Sequence, residues 1–340
     1  MKSLVCTTPG LLEYKETKEP DLKPGYAIIR IKRIGICGTD LHAYEGTQPY
    51  FNYPRILGHE LSGDLIALSP SNGFVKGEAV TLIPYFYCGK CIACRSGRPN
   101  CCVSIQVCGV HRDGGMVEYL QVPEYSLVHG EGLSYDELAM AEPFAIGAHG
   151  ISRAAVTPGE FVLVVGAGPI GLGAMEFARI AGGRVIAMDM NQRRMRFCRE
   201  VLKIEHVIDA ASSGIIDQLK EITHGDMPLV VIDATGNKKA ISKGIDWLAH
   251  TGRYILIGLQ REDICFSHPE FHKRETTLMG SRNATRKDFE LVIAAIQRGR
   301  INPASYISHR VSFDEAGKEF NRWLDPASEA IKPMVVMEHN

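Results

Sequence analysis

The sequence predicts an α/β protein: a doubly wound parallel sheet preceded by a β-rich domain that carries a metal-bound lobe. Three observations predict it. Up to about residue 147 the chain reads as short strands cut by Gly and Pro turns. After Pro158, apolar runs of strand length alternate with helical stretches, the pattern of βαβ units. Within the first texture stand four cysteines spaced C-x2-C-x2-C-x7-C, at 88, 91, 94 and 102.

The early strands are short and amphipathic. Residues 27–36, AIIRIKRIGI, alternate apolar and polar side chains as a half-buried strand does. LSGDLIAL, EAVTLIPYF and GGMVEYLQVP continue in the same manner, and helical periodicity is scarce before Ser134. The later series opens with FVLVVGAG, a strand running into a helix that ends near Gly182. RVIAMDM, HVIDA, LVVIDATG and RYILIGL are the further strands. Helices are expected over 192–202, 214–224 and 237–249. The strands are apolar on both faces, which a sheet covered by helices on both sides requires. Another helix is expected over 288–298, with Thr285 as its N-cap and Asp288 at the third position. The tail, IKPMVVMEH, reads as a strand that returns to the first domain.

Composition narrows the function classes. The 340 residues suffice for two domains, and 45% hydrophobic with 23% charged residues is a globular balance. A net charge of −1 offers no broad attraction to nucleic acid or to an anionic membrane. The start, MKSLVCTTPGLLEYKE, lacks the apolar run of a signal peptide, and the apolar stretch from Phe161 to Met175 is too short to span a bilayer. Ten cysteines in such a chain argue for reduced thiols and metal binding, hence for the cytoplasm.

Cys88, Cys91, Cys94 and Cys102 can enclose one tetrahedral Zn²⁺ and leave no open position, as in a structural site. An iron–sulfur cluster is the competing reading of C-x2-C-x2-C. Cys101, beside Cys102, makes the register ambiguous, and the seven-residue gap favours Cys102. The other cysteines read as ordinary thiols. A second set of zinc-type donors is Cys37, His59, Glu60 and Glu142. Three protein ligands would leave a fourth place for substrate or water. Its spacing alone is not persuasive; the words ICGTDLH, LGHE and AEP around it carry the case.

Gly166, Gly168, Pro169, Ile170 and Gly171 form G-x-G-x-x-G between a strand and a helix. The first glycine permits the turn, the second lets backbone approach a pyrophosphate, and the third lets helix and strand pack closely. The helix N-terminus favours phosphate. Asp189 ends the next strand, where an acidic side chain accepts from a ribose 2′-hydroxyl and repels a 2′-phosphate, so NAD is expected over NADP. Arg194 either lies over the adenine ring or is a solvated residue at a helix start.

These words, in this order and at these separations, resemble the zinc-containing medium-chain dehydrogenases of the alcohol dehydrogenase superfamily along nearly the whole chain. ICGTDLH, LGHELSG, the four-cysteine lobe, GGMVEY and VVGAGPIGLG carry the resemblance. Glu142 before Pro143 is similar to the sorbitol, threonine and sugar-acid branch, since ethanol-type members usually have cysteine there. FNYPRILGHE, CGVHRDGGMVEYL, IDATGN and PEFHKRETTLMGSRNAT resemble the L-galactonate 5-dehydrogenase-like, hexonate-oxidising group. The resemblance implies a GroES-like catalytic domain at 1–147 with its zinc lobe at 86–104, a Rossmann NAD-binding domain at 148–282, and a segment at 283–340 that rejoins the first domain.

It also implies roles. Cys37 and His59 correspond to catalytic zinc ligands, Glu60 to a glutamate on or near the metal, and Glu142 to a carboxylate reaching it directly or through water. Asp40 corresponds to the group that orients the ligand histidine. Thr39 and His42 correspond to a proton relay. The implied reaction oxidises a secondary alcohol of a sugar acid with hydride transfer to NAD⁺. A sorbitol- or L-iditol-type polyol or L-threonine is the alternative substrate. A non-catalytic, NAD-sensing partner protein is a remote third reading. Arg112 and Arg282 are candidates for a substrate carboxylate, and Tyr44, His111 and Asn283 for its hydroxyls. Two zinc ions per chain and a homo-oligomer, dimer or tetramer, are expected.

Overall fold

In the computed structural model, which describes residues 1–49, 51–69 and 73–338, the chain forms two compact units. One comprises Met1–Glu142 with Thr285–Asn340 and the other Pro143–Ala284. The chain leaves the first unit within the helix Ala141–Ala154 and re-enters it at Thr285.

The first unit is built mainly on antiparallel strands, with Ile307–Ser312 parallel to Lys332–Val336. Among the described residues its largest sheet has seven strands, with Tyr26–Gly35 near the middle. That strand pairs with Glu60–Ala67 on one edge, and with Tyr119–Pro123 and Lys332–Val336 on the other. Alternation decides its faces: Ala27, Ile29 and Ile31 enter the core while Arg30 and Lys32 turn outward. Strand Lys332–Val336 sets Met334 opposite Gly35 and Val335 opposite Ile34. The last residues of IKPMVVMEH end at His339, which lies outside the described residues.

Some helices of this unit escape the sequence reading. Gly38–Glu45 directly follows Cys37. It has no apolar stripe; a capping box between Cys37 and Asp40 starts it, and Gly46, in the left-handed region with φ 80°, ends it. Phe313–Leu324 buries Phe313, Ala316, Phe320 and Trp323, spaced for one helical face, against the same core. Helix Arg286–Gln297 begins as expected: Asp288 accepts from the Thr285 N–H at 2.8 Å and hydroxyl at 2.6 Å.

The second unit is a parallel sheet covered by helices. Its order among the described residues is His206–Asp209, Arg184–Asp189, Phe161–Val165, Val230–Asp233, Arg253–Leu256 and Thr277–Gly280. Numbered along the chain this is 3-2-1-4-5-6, the doubly wound order with its reversal beside Phe161–Val165. Leu163, Val165, Ile186, Met188 and Val231 form its core with Trp247 and Tyr254. The expected helix over 237–249 is a correction: only Lys238–Lys243 is α-helical, capped by Asn237. The buried Tyr254 hydroxyl donates to the Ile241 carbonyl at 3.0 Å, taking an acceptor that further helix would use. Among the described residues, no helix is long and apolar enough to cross a membrane.

Candidate metal and dinucleotide sites

The four-cysteine lobe folds through two short helices, Ile92–Arg95 and Pro99–Cys101, which bring its sulfurs together. Sγ atoms of Cys91 and Cys94 are 3.4 Å apart, Cys91 and Cys102 3.8 Å, and Cys88 and Cys102 3.5 Å. None is a disulfide. Four thiolates at about 2.3 Å from one tetrahedral ion would stand just under 4 Å apart, so the cage fits a single zinc. It is too tight to wrap the several metals of an iron–sulfur cluster. Cys102 supplies the fourth sulfur, and Cys101 is exposed beside it. Backbone N–H groups of Lys90 and Cys91 pull the Cys88 thiol down to about 6, toward the thiolate a metal needs.

The second set gathers where two segments meet in the first unit. Cys37 precedes helix Gly38–Glu45, and His59 precedes strand Glu60–Ala67. Donor atoms of Cys37, His59 and Glu60 lie within 4.8 Å of one another. Asp40 holds the arrangement: one oxygen accepts from the Cys37 N–H at 3.0 Å, the other from the Gly58 N–H at 3.0 Å. His59 Nδ1 stands 3.7 Å from the latter oxygen and has no hydrogen-bond partner, although the ring is buried. Burial opposes charge on His59, but Asp40, Cys37 and Glu142 outweigh it and push the ring well above its ordinary range. This pocket, rich in acidic donors with a proton-attracting imidazole, fits a bound cation.

Two further residues belong to this site and were missed by the sequence reading. Lys332, from the returning strand, is buried and donates to both Glu60 oxygens at 2.5 and 2.7 Å and to the Ile36 carbonyl at 3.1 Å. Glu60 itself lies over Gly35, where a side chain would come within 2.2 Å of its carboxylate. Tyr85 donates its hydroxyl to Glu142. Burial pushes the Glu142 carboxyl up to about 7, with His59 acting in the opposite sense. Single buried polar residues leave no periodic trace; a lysine inside an apolar terminal strand was the one available signal.

Thr39 and His42 occupy successive turns of helix Gly38–Glu45. Thr39 is half-buried and His42 exposed, with its Nδ1 3.2 Å from Glu45 and 3.1 Å from Thr47. Tyr44 is buried and its ring packs on Phe320. His111 accepts the Val107 N–H at 3.1 Å and Arg112 lies over the Phe86 ring, both half-buried. Arg282 is exposed and Asn283 has φ 53°; both belong to the second unit.

In the second unit the glycine loop joins strand Phe161–Val165 to helix Pro169–Ile180. Gly168 is the N-cap and Pro169 the first helical residue, a position suited to proline, with Ile170 in the same first turn. Gly166 has φ 98°, and a Cβ on Gly171 would stand 1.8 Å from the Gly166 carbonyl oxygen. A Cβ on Gly168 would meet only the Arg194 guanidinium at 3.8 Å, so that face is open for a phosphate. Asp189 accepts from the Ala167 and Asn191 N–H groups at 2.6 and 2.7 Å, and Arg194 approaches it at 4.0 Å.

The comparisons agree with this geometry. Residues 23–131 match the alcohol dehydrogenase GroES-like domain, and residues 169–298 match the zinc-binding dehydrogenase family. The L-galactonate-5-dehydrogenase of Escherichia coli K12 is 42% identical over 336 residues, 98% of each chain. The chain belongs to the zinc-binding alcohol dehydrogenase family. Within that family, the sorbitol dehydrogenase of Halalkalibacterium halodurans is 33% identical over 98% of this chain and 99% of its own. An alcohol dehydrogenase of E. coli CFT073, solved with NADH, superposes with a TM-score of 0.91 at 29% identity, covering 99% of each chain.

Proposed function

We propose that this dehydrogenase oxidises a secondary alcohol of a sugar acid, L-galactonate or a related hexonate, with hydride transfer to NAD⁺. The cluster of Cys37, His59 and Glu60 within 4.8 Å carries the reading, because it offers one cation three protein donors. A zinc ion there would supply Lewis acidity to the substrate hydroxyl. Asp40 fixes the Cys37 and Gly58 backbones and stands beside His59 Nδ1, so it orients the ring. The Thr39 hydroxyl takes the substrate proton as it releases its own toward His42, which is exposed to water and passes it on. Cys88, Cys91, Cys94 and Cys102 hold a second, structural zinc.

Full-length likeness to an L-galactonate-5-dehydrogenase supports the substrate class. Arg112 and Arg282 remain the candidates for its carboxylate. The open face at Gly168 suits the pyrophosphate of either cofactor, and the carboxylate of Asp189 supports NAD⁺ over NADP⁺. A polyol is the second reading, on the likeness to sorbitol dehydrogenase. The protein is taken as a homo-oligomer, and as cytoplasmic because its ten cysteines, none in a disulfide, suit a reducing compartment.

The test is a panel of hexonates, polyols and threonine assayed with NAD⁺ and NADP⁺, with zinc measured on the same samples. L-Galactonate is expected to turn over fastest, with NAD⁺. Cys37→Ser or His59→Ala is expected to lose one of two zinc ions and all activity. Turnover of sorbitol alone would select the second reading, and full activity in His59→Ala would overturn both.

A further inference from the structure

Two buried glutamates of the first unit, Glu60 and Glu142, have partners of different kinds. Glu60 is answered by the full charge of Lys332 on both oxygens. Glu142 has a neutral donor, the Tyr85 hydroxyl. Tyr85 and Glu142 are each 4% exposed. Strand Tyr85–Phe86 pairs with Gln106–Val107, which fixes the origin of the tyrosine ring. Glu142 feels His59, Glu60 and Lys332 electrostatically, so it lies near the second donor set. Yet among the described residues that set comprises Cys37, His59 and Glu60 without it.

We propose that Tyr85 is a positioning residue whose hydroxyl restrains Glu142 and keeps that carboxylate from becoming a fourth protein ligand beside Cys37, His59 and Glu60. The inference rests on the functional reading above, which places a cation on those three residues. A carboxylate is a competent zinc donor, and a catalytic site needs one position open for substrate. A phenol suits the restraint. It donates one hydrogen bond, has two side-chain torsions, and brings no charge that would cancel that of Glu142.

The experiment replaces zinc by Co²⁺ at the open site of the full-length protein and reads the visible d–d absorption, which reports coordination. Tyr85→Phe is expected to shift these bands as Glu142 joins the metal, to slow metal release to EDTA, and to raise KM for the alcohol about tenfold, the scale of losing an outer partner. Tyr85→Phe with Glu142→Gln is expected to return the bands to the wild-type form. Glu142→Gln alone, made in case Tyr85→Phe does not fold, is expected to leave the bands in place. Wild-type bands and release rate in a folded Tyr85→Phe, or a lost band in Glu142→Gln, would overturn the inference and leave the functional reading standing. Failure of the wild type to take Co²⁺ at Cys37 and His59 would overturn the functional reading, and the inference with it.

Discussion

Lys332 and Glu60 form a buried ion pair, and its removal is costly in one direction only. Both side chains are almost fully excluded from water, and each answers the other's charge. Burial alone would lower the Lys332 ammonium, but Glu60 and Cys37 outweigh it and hold it above the ordinary lysine range. In the metal-free protein Lys332→Met leaves Glu60 unanswered and is expected to lower unfolding free energy by about 3–5 kcal/mol, read as a lower urea midpoint. Adding Glu60→Gln is expected to recover most of it. A single variant within experimental error of wild type would remove the pair from the account. None of this was visible in the sequence, where the two residues stand 272 positions apart. Cys37, His59 and Glu60 were legible because their words sit in short, ordered segments.

The glycine loop shows why its segment was read correctly. A strand, a turn with fixed glycine positions and a helix start are all local, and each constrains the next. The structure separates the roles of the glycines. Gly171→Ala places a carbon 1.8 Å from the Gly166 carbonyl oxygen and is expected to unfold the loop, lowering both Tm and NADH binding. Gly168→Ala meets only the flexible end of Arg194, so Tm is expected to stay near wild type while NADH affinity, followed by fluorescence, falls roughly tenfold. Equal loss of stability in the two variants would contradict this. The capping box Thr285–Asp288 was legible for the same local reason. Helix Gly38–Glu45 was not, because caps and not an apolar stripe define it. Helix Phe313–Leu324 did carry a stripe, at Phe313, Ala316, Phe320 and Trp323, and periodicity counted there would have found it.

The return of the C-terminal segment to the first unit is secured by charge as well as by strand pairing. Asp136 accepts from Arg33 at 2.7 Å and from Arg310, 174 positions away, at 2.5 Å. Burial would raise the Asp136 carboxyl, but Arg310 and Arg33 outweigh it and hold it below its ordinary value of 3.8. The folded state therefore binds fewer protons than the unfolded one. This stabilisation is present above that value and is lost as pH falls through the lower, folded value. Wild type is expected to melt above Asp136→Asn at about pH 7, with the gap closing below about pH 4. A gap independent of pH would show that the arginines do not act through charge.

Period, turn chemistry and metal-ligand spacing are written within a few residues of one another. Amino-acid order alone therefore specified the α/β class, the cysteine cage and the dinucleotide turn. Which buried charges meet is settled by strand register and by the return of a distant segment. Glu60 found Lys332 and Glu142 found Tyr85 for that reason, since each contact depends on how surfaces pack after the chain has closed on itself.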